Sequence, residues 1–311
     1  MKASLQFDSL DAVRLPERPV HLAIGMFDGV HLGHQSVIAA AMQSARRADG
    51  LAGVLTFWPH PSKILRPGQP TPLLMPPAMK RRVLARLGVD FIIEQPFTSD
   101  YAALRPEDFL PHLLQRLPRI AAIYVGENWR FGKDRAGDVA LLVAEAAKRG
   151  VTVYSAPRLN HNGAPISSSR IRGLLADGKV EEVNALLGYT YFAEGVVESG
   201  RQLGRTIGFP TLNITWEPEL APRYGVYAVT LNGVWGVANY GVRPTVDNSP
   251  HPVFEVHLLD STSLIYGDRV LVEWHAFIRP EMKFSGVDAL KEQIARDRET
   301  ARQFAQKRAE N

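Results

Sequence analysis

The 311-residue sequence contains no cysteine. Disulfides, thiolate metal sites and cysteine nucleophiles are therefore excluded, and the composition suits a reducing, cytoplasmic setting. No apolar run approaches the roughly 20 residues a membrane helix needs, and Met1 to Asp8 lacks the continuous apolar core of a secretory signal. No membrane partner is expected. The chain also lacks a strong charge of either sign, since 36 Lys and Arg against 32 Asp and Glu leave +4. So small an excess, partly gathered in Lys80-Arg-Arg82, suits an enzyme that handles nucleotide phosphates as readily as a nucleic-acid binder. Repeats, low-complexity tracts and long linkers are missing too. What remains has ordinary globular composition and enough length for two domains.

Up to about residue 186, short apolar segments alternate with amphipathic ones. Strands are predicted at Val20–Met26, Val54–Trp58, Val89–Glu94, Ile120–Val125 and Val151–Ser155, and helices at about 35–48, 76–87, 106–116 and 138–149. This alternation predicts an α/β fold, a doubly wound parallel sheet with crossover helices on both faces and ligands at the carboxyl ends of its strands. From Tyr189 the texture changes. Segments at about 192–199, 225–231, 234–240, 253–259 and 269–278 alternate apolar and polar residues, and Asn232-Gly233 marks a hairpin. A small antiparallel β-barrel followed by a helix from Val287 to about Gln306 fits this pattern. Ser285 and Asp288 are expected to cap that helix, and Glu292 and Arg296 to pair along it. The join is placed near 186–190, giving domains 1–186 and 187–311.

The most informative stretch is Gly25-Met-Phe-Asp-Gly-Val-His-Leu-Gly-His-Gln35, between the first strand and the first helix. Glycines 25, 29 and 33 permit sharp turning and close approach to a ligand. His31 and His34, three residues apart, are predicted on one face about 5–6 Å apart, where helix N–H groups favour anions. The pattern reads as a triphosphate site. Metal coordination by Asp28 and the histidines is a weaker alternative, because the glycines and the helix favour phosphate. After the fourth strand, Asn128 can read a base or flavin edge, while Trp129 and Phe131 suit ring stacking or core packing equally. Ile166-Ser-Ser-Ser-Arg-Ile-Arg172 opens a helix with hydroxyls and places a basic residue one turn in, a second phosphate cradle.

In the second domain, Gly204-Arg-Thr-Ile-Gly-Phe-Pro-Thr-Leu-Asn213 reads by composition as a turn, although Thr211 and Asn213 offer neutral oxygens suited to Mg²⁺ or phosphate. It does not end as a Walker A loop does. In Phe254-Glu-Val-His-Leu-Leu-Asp260, period-two alternation sets Glu255 and His257 on the face opposite Phe254, Val256 and Leu258. Glu255 is a candidate general base or an ordinary exposed strand residue. Barrel strands carrying Glu255, Asp260 and Glu273 argue against an RNA-binding surface, so no nucleic-acid partner is expected.

His31-Leu-Gly-His34 with the Ser-Ser-Ser-x-x-Arg172 segment resembles the HxGH nucleotidyltransferases. Gly204–Asn213, Asn239–Thr245, Phe254–Asp260, Tyr266-Gly267 and Phe277–Phe284 follow the order found in riboflavin kinase modules. Nearly the whole chain is thus similar to the bacterial bifunctional riboflavin kinase/FAD synthetase family. The resemblance implies riboflavin, FMN and ATP as substrates, with Mg²⁺ as cofactor. It implies catalytic roles for His31, His34 and Glu255, and ATP or phosphate contacts from Gly25, Phe27, Asp28, Gly33, Ser168, Ser169 and Arg172. In the first domain it also implies a flavin contact from Asn128, and in the second it implies phosphate contacts from Gly204, Arg205, Gly208 and Pro210, metal contacts from Thr211 and Asn213, and a flavin contact from Arg298. A nucleotidyltransferase with another acceptor would not need the second set of motifs. Leu212, Trp129, Pro165 and Pro280 depart from the family's usual residues and remove no implied catalytic group.

Overall fold

The computed structural model describes residues 3–200, 204, 207–242, 252–260 and 263–310. Arg205 and the 243–245 end of the Asn239–Thr245 motif lie outside them. The chain falls into two compact units, Met1–Ser168 and Ser169–Asn311.

The first unit holds strands β1 (Leu5–Phe7), β2 (Val20–Ile24), β3 (Leu51–Trp58), β4 (Phe91–Pro96), β5 (Ile120–Gly126) and β6 (Thr152–Ala156), paired in the order β1-β4-β3-β2-β5-β6. Every pairing is parallel. A two-stranded ribbon, β7 (Asn160–His161) with β8 (Ala164–Pro165), follows. The helices are α1 (Leu32–Arg47), α2 (Pro61–Leu65), α3 (Pro77–Arg86), α4 (Ser99–Ala102), α5 (Pro106–Arg116) and α6 (Val139–Ala147). All five β2 residues are buried. Leu22 and Ile24 share a core with Phe109 and Leu113 of α5 and Leu142 of α6. Val37, Ile38 and Ala41 of α1, which packs on β2, β3 and β5, are buried outside that cluster. The chain builds β2, β3 and β4 to one side and then returns to lay β5 on the other flank of β2. The carboxyl ends of β2 and β5 therefore meet at the point where strand order reverses, the crevice in which such sheets take ligands.

The second unit begins with α7 (Ser168–Ala176), whose first residue ends the first unit, and α8 (Val180–Leu187). Antiparallel strands β9 (Phe192–Glu198), β10 (Leu212–Thr215), β11 (Gly225–Leu231), β12 (Val234–Gly241), β13 (Val253–Leu258) and β14 (Arg269–Arg279) close a barrel in the order β10-β13-β12-β11-β14-β9. The helix α9 (Val287–Ala309) follows. The unit boundary precedes the expected join at 186–190 for a physical reason. Asn184 of α8 donates to the Trp274 carbonyl at 2.9 Å and accepts from the Tyr191 N–H at 2.7 Å, fastening α8 to the barrel. Asn232 and Gly233 both take positive φ, 49° and 86°, as the predicted hairpin requires. Trp274, Tyr227, Tyr240 and Phe254 are fully or almost fully buried, with Phe254 stacked on Trp274 at 5.1 Å. Such aromatic pairs favour offset or edge-on packing and anchor small cores. Ala301 of α9 packs against Ala228 and Ala276, and buried Asp297 takes Arg279 in a two-point ion pair.

Two expectations for α9 are corrected. Its N-cap is Gly286 without a side-chain cap, so Ser285 and Asp288 do not form a capping pair there. Arg296 donates to the Gln293 side-chain oxygen one turn back at 3.2 Å, which commits its Nε, rather than pairing with Glu292. The strand β10 is an addition, since the segment around it reads as a turn by composition.

Candidate functional site

In the first unit the turn from β2 into α1 carries the histidines. Phe27, Gly29 and Val30 have φ of 50°, 77° and 37°. Two non-glycine residues in the left-handed region mark backbone strain that the surroundings must hold. Several bonds hold it. Thr56 Oγ1 donates to the Met26 carbonyl at 2.9 Å, Ser168 Oγ to the Asp28 carbonyl at 2.9 Å, and Gln35 Nε2 to the Val30 carbonyl at 2.8 Å. The Asp28 carboxylate is buried and accepts from the Leu74 N–H at 3.0 and 3.2 Å. It is committed to the fold of this turn, which bears on its implied phosphate contact.

His31 is the N-cap of α1, its Nδ1 accepting from the His34 N–H at 3.2 Å. The proton of the neutral ring therefore sits on Nε2. The two imidazoles stack with centroids 3.6 Å apart, and Phe27 meets His34 edge-on at 5.3 Å. Burial drives the His31 pKa down to about 4 and holds His34 well below the ordinary range, with His31 and Lys80 adding repulsion. Both rings are thus neutral donors, not cations, near neutral pH. His34 Nδ1 is buried without a hydrogen-bond partner, a polar atom aimed at nothing the protein provides. A Cβ on Gly33 would lie 3.2 Å from the His31 ring, and one on Gly25 would lie 3.1 Å from the Phe27 ring, so both glycines make room for the histidine stack and its aromatic wall.

Lys80, which reads in the sequence as part of a basic surface cluster, is buried. Its Nζ donates to Thr56 Oγ1 at 2.9 Å and lies 3.5 Å from Glu94, which Arg81 also engages. The network runs from Arg81 through Glu94, Lys80 and Thr56 to the Met26 carbonyl at the head of the strained turn. A buried Lys in a run of Lys and Arg gives no sequence signal of this. A pocket bounded by Met26, Asp28, Phe57, Trp58, His60 and Lys80 opens beside it.

After β5, Asn128 is exposed and donates to Glu127 at 3.1 Å. Trp129 stacks on Phe131 at 4.7 Å, and Phe131 is buried against Phe109, so these rings serve the core. Ser168 is brought onto the histidine turn. Ser169 and Arg172 continue along α7 in the second unit.

In the second unit, Asn213 of β10 and Asn239 of β12 both pair directly with Glu255 of β13. Directly opposed residues share a face of the sheet, so the three side chains form one row. Phe254 and Val256, buried at 3% and 0% exposure, take the opposite face, as the alternation predicts. Residues 207–212 lead into this row at Asn213. The Phe209 N–H donates to the Gly204 carbonyl at 2.7 Å, and Gly208 takes φ 89°. A Cβ on Gly204 would lie 2.2 Å from the Phe209 carbonyl oxygen and 3.3 Å from Thr211 Oγ1. One on Gly200 would lie 2.0 Å from Asn213 Nδ2. Arg298 of α9 places its guanidinium 5.7 Å from the Phe209 ring centre, with Nε buried and unpartnered. His257 holds the Pro210 carbonyl through Nδ1 at 2.8 Å. The sequence placed His257 on the face of Glu255 but gave it no role. Glu255, Asn213, Pro210 and Arg298 are therefore brought to one side of the barrel, while Arg205 lies outside the described residues.

Profiles of two families match the chain, FAD synthetase over residues 14–170 and riboflavin kinase over residues 187–305. The bifunctional riboflavin kinase/FMN adenylyltransferase of Escherichia coli strain K12 is 37% identical over 294 residues, covering 93% of this chain and 94% of its own. The protein of that name from Bacillus subtilis is 38% identical over 289 residues, covering 90% of each. A crystal structure from Streptococcus pneumoniae, described as a macrolide-efflux protein, superposes with a TM-score of 0.86 at 29% identity, covering 97% of this chain and 99% of that one. Among the described residues of this chain no helix is long and apolar enough to cross a membrane.

Proposed function

The chain belongs to the bifunctional riboflavin kinase/FMN adenylyltransferase family, and from that premise we propose how its residues divide the chemistry. The protein phosphorylates riboflavin with ATP to give FMN, then transfers the adenylyl group of a second ATP to FMN, giving FAD and pyrophosphate. We assign the first reaction to residues 187–311 and the second to residues 1–186.

In the kinase step the terminal ribityl hydroxyl attacks the γ-phosphorus of ATP, Glu255 takes the hydroxyl proton, and ADP leaves. The observation that carries this assignment is the direct pairing of Asn213 with Glu255, which sets a carboxylate beside neutral oxygen donors on a rigid ladder. Thr211 and Asn213 would hold Mg²⁺. Their neutral oxygens and the glycine cradles at 200 and 204 suit a hard cation shared with phosphate oxygens. Bound there, the ion would neutralise charge on the transferred phosphoryl group. Gly204, Arg205, Gly208 and Pro210 are assigned to the phosphates, and Arg298 to the flavin.

In the adenylyl step a phosphate oxygen of FMN attacks the α-phosphorus of ATP, and the bond to the β-phosphate oxygen breaks. His31 Nε2–H and the His34 ring donate to the phosphates without forming a covalent bond. Neutral imidazoles at a helix start stabilise developing charge by directed hydrogen bonds rather than by their own charge. Ser168, Ser169 and Arg172 are assigned to the departing pyrophosphate, and Asn128 to the flavin edge. A cytoplasmic location belongs to the same reading.

The test is chromatography of flavins formed from riboflavin with Mg-ATP. Glu255→Ala should stop FMN formation and leave FAD formation from supplied FMN, and His31→Ala should do the reverse. Equal loss of both activities in either variant refutes one reaction per unit.

A further inference from the structure

We propose that His257 is a positioning residue for phosphoryl transfer, holding the Phe209–Asn213 segment in register with Glu255 through the Pro210 carbonyl. The inference rests on the assignment of Thr211 and Asn213 to phosphate and metal. His257 stands two residues beyond Glu255 on the same face of β13, yet it is buried to 7% exposure by the segment it holds. Pro210 has only a carbonyl to offer, so in the 2.8 Å contact Nδ1 carries the proton and Nε2 is the bare nitrogen. That nitrogen is buried without a partner, so the ring spends its whole hydrogen-bonding capacity on this one carbonyl. Phe209 stands edge-on to the imidazole at 5.6 Å and beneath Arg298, so the ring is fixed from the side as well.

The geometry needs such an anchor. Proline has no N–H, so at Pro210 the incoming segment cannot donate to the neighbouring strand. The β10–β13 ladder begins only at Leu212, opposite Val256. Between the Phe209 N–H bond and Leu212, the His257 contact is what fastens Pro210 to β13. Thr211 is the next residue, so a shift of the Pro210 carbonyl moves Thr211 relative to the Asn213–Glu255 pair. Burial lowers the His257 pKa; the bond to the Pro210 carbonyl pulls it back up in part and Arg298 opposes protonation, so the net shift is downward.

The experiment uses the full chain with kinase and adenylyl transfer assayed separately. His257→Leu removes the donor and should lower the kinase kcat by about 10–100-fold at saturating Mg-ATP, with a smaller effect on the riboflavin KM and none on FAD formation from FMN. In His257→Asn the side-chain amide nitrogen takes the place of Nδ1 and should restore most of the lost kcat. His257→Gln, whose amide corresponds to Nε2, should restore less. Full kinase activity in His257→Leu, or Asn no better than Gln, overturns the proposal. If His257→Leu does not fold, the Asn and Gln pair decides it alone. Asn213→Ala separates the layers. Full kinase activity there sinks the assignment of the segment itself, whereas loss there with an unaffected His257→Leu sinks only the role of His257.

Discussion

Glu94→Gln should be among the most damaging single polar changes in the first unit, although Glu94 touches none of the assigned substrate groups. In the native protein the Lys80 ammonium lies 3.5 Å from this carboxylate, and the two side chains are 7% and 6% exposed. Burial pulls the Lys80 pKa down, and Glu94 is the main influence holding it up, with Asp28 adding a smaller pull. Removing the carboxylate charge leaves a buried cation with only Thr56 Oγ1 at 2.9 Å, the Phe57 carbonyl at 3.4 Å and the more distant Asp28 among the described residues. Such one-sided breakage costs about 3–5 kcal/mol, against a typical domain stability of about 5–15 kcal/mol. The pH dependence carries the signature. Between the lowered folded pKa and the ordinary value of 10.5, the unfolded chain binds more protons, so stability rises with pH through that window. In Glu94→Gln the folded pKa drops further and the window widens downward. Urea unfolding at about pH 7 and about pH 9 should therefore show a large deficit that shrinks with alkalinity. The double variant Lys80→Met with Glu94→Gln, which removes both charges, should recover much of the loss. A Glu94→Gln protein within about 0.5 kcal/mol of the parent, or a penalty the double variant does not reduce, refutes the reasoning.

Three further outcomes are expected. His31→Asn keeps an N-cap acceptor for the His34 N–H, so thermal stability at neutral pH should hold while FAD formation falls by about 100-fold. Because the folded pKa of His31 is about 4, the unfolded chain gains the proton first as pH falls below 6.5. The parent should therefore lose stability between those values, and the Asn variant should lose less, as read from acid unfolding followed by circular dichroism. Gly200→Ala would drive a Cβ to within 2.0 Å of Asn213 Nδ2, and kinase turnover should drop by at least about 10-fold with adenylyl transfer retained. Chelation of divalent metal should abolish FMN formation, and Mg²⁺ should restore it, as followed by flavin chromatography.

Most of the architecture is written in periodicity. Buried parallel strands such as β2 read as apolar runs, the barrel strands as alternation, and Asn232-Gly233 as the one turn type that tolerates two positive φ values. The histidine turn was legible because glycine spacing and a helix start are local. What escaped the sequence depends on contacts distant in the chain. Lys80 meets Glu94 only because α3 packs on β4. His31 looks like a ligand donor on both nitrogens until its capping bond to the His34 N–H commits Nδ1. The strand β10 hides in a segment rich in turn residues, and only its antiparallel pairing with β9 and β13 makes it a strand. The alliance of α8 with the barrel likewise rests on Asn184, whose side chain spans to Trp274.

The unbroken register of β13 also sets where the kinase unit can accept a change of length. An open sheet can absorb an inserted residue at its edge, but β13 has a partner on each side, and both partners place an asparagine opposite Glu255. One extra residue early in β13 would turn Glu255 toward Trp274 and Phe254 would take its place outside, exchanging core and site in a single step. The pairing of β11 with β14 takes up extra residues through two register shifts, but β13 pairs without one on either side, so the carboxylate's address is kept by the count of residues along β13.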